Sequence, residues 1–206
     1  MNAKFITLDG IDGAGKTTQL DVIRQWFERQ QLPVRFTREP GGTPLGENLR
    51  QLLLDPNTHA HVRTETLLMF AARQQHLQDV ILPTLAIGTH IVCDRFTDAT
   101  FAYQGGGRGV PADDIALLEQ WVQGSFRPDL TILLDIPIDL SQQRLEQSRD
   151  KDRFERESPQ FFHAVRQSYL QRAAAAPERY AIIDSSRDKA LVRSEIEAVL
   201  DQLFAA

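Results

Sequence analysis

The sequence predicts an α/β fold in which a five-stranded parallel sheet carries helices on both faces. Short apolar segments alternate with longer helical patterns along all 206 residues. The apolar segments are hydrophobic at consecutive positions, as expected for strands that are buried on both faces. Because no Gly-, Ser- or Pro-rich linker interrupts the alternation, residues 1–206 are predicted to form a single domain.

The first half of the chain contains two expected strands and three expected helices. Segments 4–9 and 34–37 are short and apolar, and they are predicted to be strands. Apolar residues recur at helical spacing in three further segments, which are 17–30, 44–54 and 64–87. Pro83 is expected to bend or break the last turn of the third helix.

The second half of the chain continues the alternation. The expected strands are 91–94, 130–135 and 180–184. The expected helices are 111–123, 138–147, 159–176 and 189–204. Pro111 begins the first of them as an early helical residue, and Ser158 is the expected N-cap of the third. The glycine cluster 105–109 and the charged stretch 148–157 are expected to be loops.

Composition and charge exclude several classes of protein. The 23 Lys and Arg residues are outnumbered by 28 Asp and Glu residues, and the net charge of −5 argues against a broad basic surface for nucleic acid or membranes. The longest apolar run, 67–72, is far shorter than the roughly 20 residues of a membrane span. The amino terminus carries Asp9 and Asp12 where a secretory signal would be apolar. The single Cys93 cannot form an internal disulfide. Together, these observations predict a cytoplasmic protein without nucleic-acid or membrane partners.

Residues 10–17 fit the pattern G-x-x-x-x-G-K-[ST] without a mismatch, between an expected strand and an expected helix. In such a loop, successive backbone N–H groups converge on phosphates, Lys16 reaches the outer phosphates and the Thr17 hydroxyl binds Mg²⁺. The alternative is a simple glycine-rich turn, which the strand–turn–helix context disfavours. The motif therefore predicts a P-loop fold and a nucleotide site. Its residues are Gly10, Ile11, Asp12, Gly13, Ala14, Gly15, Lys16, Thr17 and Thr18.

Asp94 is the second candidate for the metal. It ends the expected strand 91–94, where a carboxylate of a P-loop protein holds Mg²⁺, usually through water. The alternative is a helix cap, which is a common role for an Asp at a strand end. Arg95 follows directly and is harder to explain as part of a cap.

The residue patterns leave the second substrate open. Loop arginines such as Arg50, Arg95 and Arg153 suit an enzyme that must bring two phosphates together. A monophosphate acceptor is already largely ionised at pH 7 and needs no catalytic base. A hydroxyl acceptor would need a carboxylate base, for which Glu39 is the candidate. A nucleotide kinase and a nucleoside kinase therefore both stay open, and a nucleotide-dependent switch without phosphoryl transfer is a third class.

Five segments resemble those of the bacterial thymidylate kinase family. They are Gly10–Thr17, Thr37–Gly42, Asp94–Phe96, Ala102–Gly109 and Asp152–Glu155, and the Tyr-Gln-Gly at 103–105 is quite specific to that family. The segments follow the family's order and span most of the chain. The resemblance implies transfer of the γ-phosphate of ATP to dTMP, giving dTDP, with Mg²⁺ and commonly in a homodimer.

The resemblance also implies a dTMP site. Arg50 and Arg95 would grip the phosphate, Tyr103 would pack against the deoxyribose and disfavour a 2′-hydroxyl, and an aromatic residue would stack on thymine. Either Met69 or Phe70 could take the stacking position, and Phe70 is the candidate because it is aromatic. Asp12 would contact the 3′-hydroxyl, Glu39 would lie near the acceptor phosphate and metal, and Arg73, Thr100 and Gln104 would contact the thymine. The implied dTMP residues are Asp12, Glu39, Arg50, Phe70, Arg73, Arg95, Thr100, Tyr103 and Gln104.

The phosphate loop contains no arginine, whereas some members of the family carry one there. The resemblance therefore implies the lid-arginine type, in which the missing cation comes from a mobile lid at about 144–157. Arg149 and Arg153 would be catalytic together with Lys16 and Arg95, and Arg144 would lie against the adenine. The segment 144–157 contains five basic and five acidic residues, so a solvated surface of balanced pairs is the alternative.

Overall fold

A computed structural model describes residues 3–146 and 151–205. Five parallel strands form one sheet in the order β2-β3-β1-β4-β5, which confirms the predicted fold class. The strands are β1 (Phe5–Asp9), β2 (Val34–Arg38), β3 (His90–Asp94), β4 (Leu130–Asp135) and β5 (Tyr180–Asp184). Each predicted strand lies within one residue of its observed bounds. None of the helices in the described part of the chain combines the length and apolar composition that crossing a membrane requires.

The α-helices alternate with the strands. They are α1 (Lys16–Gln30), α2 (Pro44–Leu54), α3 (Val62–His76), α4 (Leu82–Ala86), α5 (Thr97–Thr100), α6 (Ala112–Gln123), α7 (Ile138–Glu146), α8 (Pro159–Ala175) and α9 (Lys189–Ala205). The Ser158 side chain caps α8 by accepting from the backbone N–H of Phe161, as the sequence predicts. Residue 147, the predicted end of α7, lies outside the described residues.

Side chains of the central strand β1 are buried on both faces of the sheet. Ile6 and Leu8 belong to the main hydrophobic core, whereas Phe5 points to the opposite face and packs with Ile91 and Phe96. All five β1 residues are buried, but the edge strands β2 and β5 are only partly covered. The carboxyl ends of the three neighbouring strands β2, β3 and β1 lie side by side at one end of the sheet, where a ligand site is expected.

The long helix predicted over 64–87 is interrupted. A π-helical turn, Leu77–Ile81, separates α3 from α4, and Pro83 lies in the first turn of α4. Proline cannot donate the backbone hydrogen bond of a continuous α-helix, and the wider turn changes the hydrogen-bond register just before it. The helix also begins at Val62, two residues earlier than predicted.

The glycine cluster does not form the predicted loop. Helix α5 continues into a π-helical segment, Phe101–Gly107, which includes the first three glycines of the cluster. The segment packs closely on α8, where a Cβ atom at Gly106 would lie 2.7 Å from the Cβ of Ser168. Close packing of two helices, and not chain flexibility, therefore explains these glycines. Pro111 is also corrected, because it is the N-cap of α6 and precedes its first helical residue.

Candidate active site

The predicted phosphate loop connects the carboxyl end of β1 to the first turn of α1. Gly13 and Gly15 have φ angles of 80° and 89°, a region that residues with a Cβ atom rarely adopt. A Cβ atom at Gly13 would also lie 2.6 Å from the carbonyl oxygen of Ser141 in α7. The Ser141 hydroxyl donates to the Asp12 carbonyl at 2.7 Å. The glycines thus allow both the turn itself and its close packing on α7.

Lys16 lies over its own loop. Its Nζ donates to the carbonyls of Gly10 and Ile11 at 3.3 and 3.2 Å and lies 3.6 Å from the Asp12 carboxylate. Burial lowers the pKa of Lys16, and the nearby Arg95 lowers it further. Thr17 and Thr18 are exposed in the first turn of α1, so the Thr17 hydroxyl is accessible to a ligand.

Asp94 and Arg95 lie at the carboxyl end of β3, beside the phosphate loop. The Oδ1 atom of Asp94 is buried and has no hydrogen-bond partner among the described residues. A buried carboxylate oxygen without a donor suits a cation or a water bound to one. Arg95 has a φ angle of 68°, which is unusual for a residue other than glycine and directs its side chain towards the loop.

Three side chains join the loop to the end of β3. Arg95 Nη2 donates to Asp12 Oδ1 at 2.5 Å and to the Tyr103 hydroxyl at 2.9 Å, and that hydroxyl donates to Asp12 Oδ2 at 2.8 Å. Burial alone would raise the pKa of Asp12, but the charges of Arg95 and Lys16 outweigh it and lower the pKa below its ordinary value. An ionised Asp12 thus holds the guanidinium of Arg95 in a fixed position.

A pocket opens beside these residues, and we call it the central pocket. Eight of the nine residues implied for dTMP line it, and Phe70 is the exception. The lining residues are Asp12, Glu39, Pro40, Arg50, Leu54, Met69, Arg73, Arg95, Phe96, Ala99, Thr100, Tyr103, Gln104, Asp152 and Phe154. The fold thus brings residues that are distant in sequence to one cavity next to the phosphate loop.

Arg73 is buried in the wall of the central pocket. Its Nε donates to Glu39 Oε2 at 2.8 Å and its Nη2 donates to Thr100 Oγ1 at 3.0 Å. Its Nη1 is buried without a hydrogen-bond partner among the described residues. A buried guanidinium with one unused donor is suited to a carbonyl oxygen of a ligand.

Glu39 is fully engaged in this structure. Its Oε2 accepts from Arg73 and its Oε1 lies 3.0 Å from Nδ1 of the buried His76. His76 Nε2 in turn lies 2.7 Å from the Thr37 hydroxyl. Both carboxylate oxygens of Glu39 therefore already contact a nitrogen of a buried side chain, which fixes the orientation of the carboxylate.

Phe70, the candidate for stacking on the base, does not line the central pocket. Phe70 is 2% exposed and packs with Phe101, Val110 and Ile115, whereas Met69 lines the central pocket. Consecutive helix residues point about 100° apart, so only one of the two can face the cavity. Phe70 still contributes indirectly, because the guanidinium of Arg73 lies over its ring at 4.7 Å.

The lid segment reaches the central pocket through residues other than its arginines. Asp152 and Phe154 line the central pocket. Arg153 points elsewhere, since its Nη2 donates to Glu65 Oε2 at 2.6 Å and its Nε to the Leu53 carbonyl at 2.8 Å. The structure therefore does not bring Arg153 to the phosphate loop, because a buried carboxylate holds its guanidinium instead.

The two other predicted lid arginines differ in what the structure describes. Arg144 lies at the phosphate loop, where its Nη1 donates to the Gly13 carbonyl at 3.2 Å and its Nη2 to the Ser185 carbonyl at 3.2 Å. Arg149 lies outside the described residues. Arg144 thus lies against the phosphate loop, and its contact with the adenine stays a prediction.

Sequence reasoning missed Glu65, a buried residue of α3 that accepts from both Gln104 and Arg153. A signal existed, because Glu65, Met69 and Arg73 are spaced by four residues and share one helix face. The contact of His76 with Glu39 carries no local sequence signal, because it depends on how β2 and α3 pack together.

Comparisons with known proteins complete the description of the site. The sequence model of the family described as Thymidylate kinase matches residues 8–196. The chain is similar to the thymidylate kinase of Neisseria meningitidis serogroup A, with 65% identity over 204 residues that cover 99% of each chain. It is also similar to that of Chromobacterium violaceum, with 53% identity over 98% of this chain and 95% of the other. The crystal structure of a thymidylate kinase from Ehrlichia chaffeensis matches with a TM-score of 0.79 and 32% identity, over 98% of this chain and 99% of the other.

Proposed function

The chain belongs to the thymidylate kinase family and phosphorylates dTMP to dTDP with ATP, and we propose that the central pocket is its dTMP site. The observation that carries this proposal is the composition of the pocket. It joins two cations, Arg95 beside the phosphate loop and Arg50 from α2, to the buried, partly unused donors of Arg73. A nucleoside monophosphate has the matching pattern of a charged phosphate and a base with carbonyl oxygens.

We infer that catalysis is mainly a matter of position and charge. The dTMP phosphate is largely ionised at pH 7, so its oxygen can attack the γ-phosphate of ATP without a catalytic base. Arg95, fixed by Asp12 and Tyr103, would hold that phosphate next to the loop. Lys16 would hold the outer phosphates of ATP, and the two cations together would reduce the repulsion between the anionic substrates.

We further propose that Mg²⁺ accompanies ATP. Thr17 and Asp94 would hold it, and the buried Oδ1 of Asp94 without a donor supports this assignment. When bound, the ion neutralises phosphate charge that the protein's own cations do not reach. Asp94→Asn is expected to raise the Mg²⁺ concentration that gives half the maximal rate, and an unchanged requirement would remove Asp94 from the metal site.

The lid-arginine type is also a proposal. The absence of arginine from residues 10–17 supports it, because another cation must then balance the charge of the transferring phosphate. Arg149 and Arg153 are the proposed sources. For Arg153 this requires its guanidinium to leave Glu65 and the Leu53 carbonyl, to which it donates in this structure.

We propose that residues 1–206 form a single domain and that two copies form a homodimer. Elements from both ends of the chain share one core, where Trp26 of α1 packs on Phe204 of α9. Two apolar side chains of α6, Leu117 and Trp121, are 71% and 84% exposed, and Leu67 of the neighbouring α3 is 54% exposed. An exposed apolar group on two packed helices is typical of a protein interface.

The proposed dTMP site is tested by measuring ADP release from Mg·ATP with dTMP, thymidine, AMP or GMP as acceptor. We expect fast turnover with dTMP alone, because only dTMP combines a phosphate with the thymine edge. The variants Arg73→Lys and Arg50→Lys both keep the positive charge but remove the guanidinium, and both should raise the KM for dTMP. Phosphorylation of thymidine at a comparable rate would contradict the assignment of Arg50 and Arg95 to an acceptor phosphate.

A further inference from the structure

The proposed chemistry leaves one buried carboxylate in the site unexplained. Glu65 of α3 is 1% exposed. Its Oε1 accepts from Gln104 Nε2 at 2.8 Å, and its Oε2 accepts from Arg153 Nη2 at 2.6 Å. Arg108 Nε lies 3.6 Å from Oε1. The two arginines balance the charge of Glu65, but they do not explain why the carboxylate also faces an amide.

The contact with Glu65 decides which way the Gln104 amide points. A carboxylate accepts hydrogen bonds and cannot donate them, whereas an amide has a donor and an acceptor end. With its carbonyl turned towards Glu65, Gln104 would bring two acceptors together inside a buried site, which is costly. The amide is therefore fixed with its NH₂ group on Glu65 and its carbonyl oxygen left for the central pocket, which Gln104 lines.

A fixed carbonyl at this position distinguishes between pyrimidines. Thymine and uracil carry an N–H group at N3, whereas the N3 atom of cytosine is an acceptor. A carbonyl oxygen accepts from the first two and repels the third, while an amide that is free to turn could serve all three. Sites built around a fixed polar group discriminate strongly, because the wrong partner leaves buried groups unpaired.

We propose that Glu65 is a positioning residue that sets base specificity by holding the Gln104 carbonyl towards N3 of the base. This inference rests on the proposed function, in which the central pocket binds dTMP and Gln104 contacts the thymine. Glu65 does not touch the substrate and acts only through Gln104. Its second oxygen binds Arg153, so the residue that fixes the base-reading amide also anchors the lid segment.

The test is the substitution Glu65→Gln, which keeps the shape of the side chain but adds a donor. Gln104 can then turn its carbonyl towards residue 65 and its NH₂ group towards the base. We expect the ratio of kcat/KM for dTMP to that for dCMP to fall by about 10-fold or more, the order expected for one lost buried hydrogen bond. The ratio for dTMP to dUMP should stay the same, because uracil has the same N3–H group and differs from thymine only by the methyl group.

Two further variants separate this effect from a loss of stability. Glu119→Gln is the matched control, because Glu119 is also buried and paired, with Arg127 at 3.0 Å, but does not line the central pocket. It should leave both ratios unchanged. Glu65→Asp keeps the charge for the arginines but draws the carboxylate back by one methylene group, and it should lower the dTMP-to-dCMP ratio as Glu65→Gln does.

Equal losses of kcat/KM for dTMP, dCMP and dUMP in both Glu65 variants would overturn the inference, because a purely structural role would affect all three substrates alike. The unmodified protein separates the two proposals. If it shows no preference for dTMP over dCMP, the proposed role of the central pocket fails first. If it prefers dTMP and the Glu65 variants keep that preference, only the role of Glu65 is overturned.

Discussion

Neighbouring residues of α3 lie in different surroundings, and their substitutions should have different effects. Met69 lines the central pocket and is partly exposed, whereas Phe70 is buried among other apolar side chains. Met69→Ala is expected to raise the KM for dTMP several-fold with little change in stability. Phe70→Ala should lower the free energy of unfolding by about 3–5 kcal/mol, as for other buried aromatic residues.

Steady-state kinetics and urea denaturation of the two variants check this pair of expectations. Each variant is the control for the other, since both remove a large apolar side chain from the same turn of α3. A rise in KM for Phe70→Ala without loss of stability would show that Phe70 faces the base.

Asp9 gives a prediction about pH. Burial and the charge of the nearby Asp98 together raise its pKa from 3.8 to about 7, although the charge of Arg95 and a hydrogen bond from Tyr169 act in the opposite direction. The folded protein therefore binds this proton more tightly than the unfolded chain does. The resulting stabilisation is complete below about pH 4 and is lost as the pH rises through about 7.

Asp9→Asn removes this dependence, because an amide stays neutral at every pH. The free energy of unfolding of Asp9→Asn, relative to that of the unmodified protein, should therefore increase as the pH is raised from 4 to 8. Urea titrations at intervals across this range measure the difference, and Asp21→Asn at an exposed position of α1 controls for the loss of one carboxylate. A difference that does not change with pH would contradict the raised pKa.

Elements with strong local signals could be predicted from sequence, and elements set by tertiary packing could not. The strand–loop–helix unit 5–30 lies within one residue of its prediction, because glycine positions and apolar spacing are local properties. The π-helical segment Phe101–Gly107 was missed, since three consecutive glycines favour a loop until α8 packs against them. The side of α3 that faces the pocket also depends on packing, which explains why the sequence could not decide between Met69 and Phe70.

The lid segment gives a prediction at the scale of an element. If Arg153 supplies charge to the transferring phosphate, Arg153→Ala should lower kcat by roughly 10³-fold and weaken dTMP binding far less. In this structure Arg153 links the lid to Glu65 and Leu53, so the alternative is that its loss affects substrate binding and not the chemical step. A change confined to KM would assign it to that link and leave Arg149 as the proposed lid cation. Arg153→Lys is the matched variant, because it keeps the charge but loses the paired donors.

The whole sheet explains how residues spread over the chain reach one pocket. Parallel strands place all their carboxyl ends at one edge, so the loops after β1, β2 and β3 converge there. These loops supply Asp12, Glu39 and Arg95, and α3 adds Arg73 from the side. The order β2-β3-β1 keeps the three loops adjacent, and this order follows from the strand pairings rather than from any local sequence signal.

The exposed apolar group on α3 and α6 gives the last prediction, which concerns the assembly. Burying Leu67, Leu117 and Trp121 between two copies would remove from water side chains that are 54%, 71% and 84% exposed in one chain. Trp121→Glu would instead place a charge in that interface, which is costly without a partner. Sedimentation equilibrium should therefore give a dimer mass for the unmodified protein and a monomer mass for Trp121→Glu.

Leu191→Glu is the control, because Leu191 is 55% exposed but lies on α9, which packs on α1 and β5. A monomer mass for the unmodified protein, or a dimer that survives Trp121→Glu, would place the interface elsewhere or exclude it.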